Sequence, residues 1–157
     1  MRLYLVQHGQ AKSDREDPDR HLTDRGLRDI ASLADFLRPL ALGIGTIWHS
    51  GKARAAQTAT LLTPVLGGKG EIVQHDRLAP NDAPDPVAGE VAARQSDLMI
   101  VGHMPFLGRL AGLLISASAQ TGPVTFQQGG LVCLERDEAD SWSVCWMVVP
   151  ELLARRP

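Results

Sequence analysis

Hydrophobic residues fall along this chain in short runs separated by amphipathic and polar stretches. Leu3 to Val6 is one such run, and it stops at Gln7-His8-Gly9. That pattern predicts a buried strand handing over to a polar loop. Ala11 to Arg20, charged and interrupted by Pro18, predicts an exposed loop. Beyond it, apolar residues at Leu27, Ile30, Ala31, Ala34, Phe36, Leu37 and Leu40 are spaced for a helix. Thr23 or Asp24 would cap that helix, and Pro39 and Gly43 would end it. Ile44 to Trp48 predicts a second strand, followed by His49-Ser50-Gly51. Lys52 to Leu66 predicts a helix closed by Gly67-Gly68, then a short strand at Glu71 to Gln74. Leu78 to Pro86 reads as a loop and Val87 to Gln95 as a helix. Leu98 to Val101 predicts a buried strand that halts at Gly102-His103-Met104-Pro105. A helix from Pro105 or Phe106 to about Ile115 follows, with proline at a first-turn position. The remainder reads as β-rich, at Val124 to Phe126, Leu131 to Glu135 and Trp142 to Val148. Glu135 to Ser141 would turn an antiparallel hairpin, and the tail from Pro150 to Pro157 would fray.

Strands alternating with helices predict an α/β domain with helices on both faces of the sheet. At 157 residues the chain suits one domain spanning 1–157. Aromatics make up only 4% of it, so the core must be mostly Leu, Val, Ile and Ala. A formal charge of −2 gives no general attraction to nucleic acid or anionic membrane. No apolar run approaches the ~20 residues of a spanning helix. Cys133 and Cys145, with no CxxC, read as two buried free thiols of a cytoplasmic protein rather than a disulfide or zinc site. The histidines show no metal-binding spacing, so no metal or other cofactor is expected.

Three predicted strands end in residues capable of chemistry: Gln7-His8-Gly9, His49-Ser50 and Gly102-His103. In open α/β sheets, ligands bind at the carboxyl ends of parallel strands. His8, followed by a glycine, can expose a neutral imidazole as a nucleophile. His103 precedes a helix, where an anion is favoured, and can donate a hydrogen bond. Arg54 opens the helix after the second strand and can fork onto phosphate oxygens.

Gln7-His8-Gly9, the Ser50-to-Thr58 stretch with Arg54 and Ala55, and Gly102-His103 resemble, in order and spacing, the histidine phosphatase superfamily. Tyr4 to Ala11, Leu22-Thr23, Gly26 and Val101 to Pro105 add to the likeness, which covers nearly the whole chain. Within the superfamily the chain is similar to the small phosphohistidine phosphatases of the SixA type. The resemblance implies a phosphoglycerate mutase-like fold, with a mixed, mostly parallel sheet sandwiched between helices. It also implies metal-independent hydrolysis of phosphohistidine on a partner protein, or of a related phosphomonoester, through a phosphohistidine at His8. A histidine-containing phosphotransfer protein is one such partner.

One residue departs from the pattern. The family motif opens with arginine, and here Gln7 stands there. Of the two arginines and two histidines that hold phosphate in the family, His8, Arg54 and His103 remain. Gln7 can still donate a hydrogen bond to substrate, without charge. Arg20, beside His21-Leu22-Thr23, matches a stretch whose arginine reaches the pocket, and it joins Gln7 as a candidate substrate-binding residue. Lys12 and Lys52 read as solvated. Asp82 and Asp85 are the candidates for a general acid, although a leaving imidazole needs little acid help. The absence of large insertions suggests an open pocket. The rival reading is a module that binds phosphate with little or no turnover because Gln7 has replaced the arginine.

Overall fold

A computed structural model describes residues 1–120 and 122–154, with the side chains of 67–69 excepted. A six-stranded sheet forms its centre. The strands are β1 (Arg2–Gln7), β2 (Ile44–His49), β3 (Leu66–Gln74), β4 (Leu98–Gly102), β5 (Leu131–Arg136) and β6 (Trp142–Val148). Their spatial order is β3-β2-β4-β1-β5-β6. β1, β2, β3 and β4 run parallel, whereas β5 is antiparallel to both of its neighbours. The helices are α1 (Asp24–Leu37), α2 (Ala53–Leu61), α3 (Asp85–Ala93), α4 (Phe106–Ser116) and the single turn α5 (Pro150–Leu153).

The strand sequences sort their side chains to two faces with period two. Tyr4, Val6, Ile47, Met99 and Val101 meet Ile30, Leu33, Leu37, Ala55 and Ala59 of α1 and α2. Leu3, Leu5, Trp48, Leu98 and Ile100 meet Val87, Val91, Phe106, Leu107 and Leu110 of α3 and α4. The result is the expected three-layer sandwich. Each fully buried Leu or Ile in these layers contributes about 1.5–3 kcal/mol.

Several boundaries differ from the sequence expectations. The second helix ends at Leu61, because Pro64 lacks the N–H to continue it, and Thr63–Val65 forms a 3-10 turn. The strand expected at Glu71 therefore begins earlier, at Leu66. The first helix ends at Leu37 and continues as a 3-10 turn through Leu40, with Pro39 inside it. The helix expected over Val87 to Gln95 spans Asp85–Ala93, with Pro86 in its first turn. Residues 124–126 form no strand: Val124 and Phe126 pack against the α3–α4 face as a loop. Cys133 is buried, but Cys145 is exposed. The register of β5 and β6 shifts between Cys133 and Leu134, and the bulge turns Cys145 outward. Of the expected frayed tail, Pro150–Leu153 forms α5, and 155–157 lie outside the described residues.

This topology creates a crevice. β1 and β4 are neighbours, yet β1 leads into α1 on one face and β4 into α4 on the other. Ligand crevices in such sheets lie where adjacent strands diverge in this way.

Candidate active site

β1 delivers His8 to the crevice and β4 delivers His103. Their rings are 4.9 Å apart between centroids and tilted by 57°. Arg54, in the first turn of α2, brings its Nε to 3.3 Å from Nε2 of His8. Three side chains far apart in sequence are thus brought together at the carboxyl ends of β1, β2 and β4.

Hydrogen bonds fix the tautomer of His8. Its Nδ1 lies 2.7 Å from the carbonyl oxygen of Gly9, which can only accept, so Nδ1 carries the proton. Nε2 then carries the lone pair, consistent with the Nε–H that Arg54 points at it. Burial, opposed in part by the Gly9 hydrogen bond and reinforced by the charges of Arg54 and Arg20, lowers the His8 pKa to about 4. His8 is therefore a neutral imidazole at neutral pH, its Nε2 electron pair accepting from Arg54 in the crevice.

His103 is only 2% exposed. Burial foremost, then His8, Arg54, Lys52 and Arg20, lowers its pKa to about 3. Its Nε2 is 2.6 Å from Oγ of Ser50, and its Nδ1 is buried without a partner among the described residues. His103 is thus a neutral hydrogen-bonding group, not a cation. Positive charge in the crevice comes from the guanidinium groups.

The sequence-based candidates do not all enter the crevice. Gln7 ends β1 opposite Gly102, and its Oε1 is buried without a hydrogen-bond partner among the described residues. Arg20 stands in a left-handed backbone conformation (φ 55°) and donates from Nε to the Lys12 carbonyl at 3.1 Å. It lines a cleft of about 530 Å³ with Asp19, Gly51, Lys52, Ala53 and Arg54. His49 faces inward and accepts from the Gly51 N–H at 3.1 Å, so it shapes the β2–α2 turn. Asp82 accepts from the Ala79 N–H at 2.8 Å and is a turn residue. Asp85 opens α3.

Sequence reasoning gave Thr58 and Gln57 no role of their own, and it marked Ser50 only as the polar end of a strand. Thr58, fully buried, accepts from the Gly9 N–H at 3.1 Å and donates to the Arg54 carbonyl at 2.7 Å. It ties the His8 loop to the helix that carries Arg54. Gln57 Oε1 accepts from the Leu22 N–H at 2.7 Å and holds the other side of the crevice. Ser50 orients His103. The spacing of Arg54, Gln57 and Thr58 at i, i+3 and i+4 on one helix face was the available signal. Gly26 completes the scaffold: a Cβ there would lie 2.2 Å from the Gln10 carbonyl oxygen, so only glycine lets α1 pack against the His8 loop.

The family model of the histidine phosphatase superfamily (branch 1) matches residues 3–83. The chain belongs to this superfamily. It is 34% identical over 149 residues to an uncharacterized protein of Picosynechococcus sp. strain PCC 7002, covering 88% of this chain and 87% of that one. The fold is that of the protein histidine phosphatase SixA solved with tungstate, with a TM-score of 0.85 and 22% identity over 98% of this chain and 99% of that one. The α-ribazole phosphatase of Shigella flexneri also shares the fold, with a TM-score of 0.78 and 14% identity over 96% and 97% of the two chains. These structural likenesses place the superfamily member in the phosphoglycerate mutase-like, SixA-type fold.

Proposed function

We propose that this protein is a phosphatase that removes the phosphoryl group from phosphohistidine on a partner protein, through a covalent phosphohistidine at His8. One observation carries the reading: a neutral His8 whose Nε2 electron pair accepts from Arg54, with the His103 ring beside it. Nε2 attacks phosphorus, a new N–P bond forms, and the bond to the substrate imidazole breaks. The electron pair leaves with that imidazole, which departs neutral when its far nitrogen carries a proton. The ring of phosphorylated His8 is then cationic, and the Gly9 carbonyl at Nδ1 stabilises it. Water next attacks phosphorus, the electron pair returns to Nε2, the proton goes to solvent, and phosphate leaves.

Arg54 supplies charge-assisted hydrogen bonds to the phosphoryl oxygens, and His103 supplies a neutral donor. Gln7 and Arg20 are assigned to substrate binding, with Arg20 adding charge from the rim. A leaving imidazole needs no strong acid, and Asp82, one of the two sequence candidates for one, is engaged in its own turn. Guanidinium groups are not metal ligands, and we assign the chemistry to them without a metal. Asp17, Asp19 and His21 could together hold an ion. Asp17, however, already bonds the ring and backbone N–H of His21, organising its loop. Among the described residues no helix is long and apolar enough to cross a membrane, and we place the reaction in the cytoplasm.

The test is turnover of a radiolabelled phosphohistidine peptide beside p-nitrophenyl phosphate, with protein quenched in alkaline detergent and its bound phosphate then tested for acid lability. Wild type should cleave the peptide faster and trap label on His8, and His8→Ala should do neither. Gln7→Arg should tighten phosphate binding by roughly 10-fold or more, the worth of one charge-assisted hydrogen bond. Phosphate binding without turnover of either substrate would refute the assignment and leave a binding module.

A further inference from the structure

Beside the histidines lies a cleft in which cations outnumber carboxylates. Arg20, Lys52 and Arg54 line it, with Asp19 as the one carboxylate among its walls. Arg54 and Lys52 form no ion pair among the described residues, and Arg20 and Asp19 are likewise absent from the ion pairs found. The cations act on one another: the charge of Arg20, after burial, disfavours the protonated form of Arg54. Both Lys52 and Arg20 act in the same sense on His103, so the field of the cleft reaches the crevice. No side chain caps the N-terminus of α2, where Lys52 and Ala53 meet this cleft. Its volume of about 530 Å³ is that of an ordinary ligand site. Unpaired like charges held side by side are relieved by an anion.

We propose that this cleft is a second anion subsite, in which Lys52 and Arg20 take a carboxylate of the substrate while Arg54 and the histidines hold its phosphoryl group. The proposal rests on the phosphoryl site above and refines its substrate class to phosphohistidine beside an acidic side chain. Lys52 is exposed and is not among the hydrogen-bond partners of either ring; it acts on His103 through its charge alone, so its removal should leave the geometry of the phosphoryl site in place.

The probes are methylphosphonate and a series of ω-phosphonocarboxylates with two to five methylenes, measured by calorimetric titration at low salt. Each carries the same head group, and the series spans a range of separations between the two anions. At least one member should bind about 5- to 20-fold more tightly than methylphosphonate. Lys52→Ala should remove most of that gain and leave methylphosphonate affinity within about twofold, and Lys52→Arg should restore it. The gain should also shrink as salt is raised. If methylphosphonate binds and no member exceeds it by more than about twofold, or if the gain survives in Lys52→Ala, the subsite is refuted while the phosphoryl site stands. If methylphosphonate does not bind in competition with phosphate, both fall.

Discussion

Thr58 offers the sharpest test of how this crevice is held together. Its hydroxyl accepts the Gly9 N–H and donates to the Arg54 carbonyl, and its side chain is fully buried. Thr58→Val keeps the shape and removes both bonds. The Arg54 carbonyl still lies within α2 and keeps its helical acceptor role. Gly9, itself buried, has no other partner for its N–H among the described residues. An unsatisfied buried donor costs about 1–3 kcal/mol. With a urea slope of roughly 1–3 kcal/mol per molar, the midpoint should fall by about 1 M. The catalytic cost should exceed the stability cost, because Gly9 also supplies the carbonyl that sets the His8 tautomer. A misplaced nucleophile can lose about 10²-fold in rate, so kcat should drop by roughly 10- to 100-fold. Thr58→Ser is the control: it keeps the hydroxyl, loses one methyl at about 1 kcal/mol, and should retain near-normal kcat. Urea melts at pH 7.5 and steady-state hydrolysis of a phosphohistidine peptide read both effects. If Thr58→Val has unchanged stability and kcat, or if Thr58→Ser loses as much kcat, the tether is not what orients His8.

Two further outcomes are expected. Gly26→Ala places a methyl 2.2 Å from the Gln10 carbonyl oxygen, a backbone atom that cannot swing away. α1 must shift, costing roughly 2 kcal/mol or more, visible as a lowered urea midpoint, and a wild-type midpoint would refute the packing argument. The pH dependence follows from His8 at about 4 and His103 at about 3, both below the ordinary value of 6.5. Between those limits the unfolded chain binds more protons than the folded one, so stability is complete above about pH 6.5 and falls as pH drops towards 4 and 3. At pH 5 each ring accounts for a loss of up to about 2 kcal/mol. Saturating phosphate should reduce the loss, since a nearby anion favours the protonated rings. Melts of wild type and His103→Gln at pH 7.5 and 5.0 check this, and an identical pH dependence in the variant would contradict it.

The sheet was legible because its parallel strands are buried on both faces and read as unbroken apolar runs, such as Leu98 to Val101. The Gly67-Gly68-Lys69-Gly70 stretch carries no apolar periodicity, so the early start of β3, set by its pairing with β2, left no trace in the sequence. Val124 and Phe126 carry a strand-like pattern, but both edges of β1 and of β4 are already occupied, and the segment contributes side chains without joining a ladder. His8, Arg54 and His103 were visible because each stands where an apolar element meets a polar turn. The roles of Thr58 and Gln57, and the part Ser50 plays at His103, were not, because their partners are a backbone N–H, a loop N–H and a distant ring. Such contacts follow from the packing of α2 against the β1 loop, and composition does not encode them.

The electrostatic arrangement gives the site its direction. A nucleophilic imidazole must be neutral, and a phosphoryl group needs cations, so the two demands conflict if one group serves both. Here they are divided. Burial and neighbouring guanidinium groups keep both rings unprotonated, and those same guanidinium groups remain to meet the anion. A carboxylate hydrogen-bonded to His8 would raise its pKa and cancel part of the charge on Arg54. The chain instead orients His8 with the uncharged carbonyl of Gly9, and none of the described carboxylates bonds to either ring. Orientation by a neutral acceptor leaves the crevice with a positive field, and in the proposed reaction that field draws a phosphoryl group to the electron pair on Nε2.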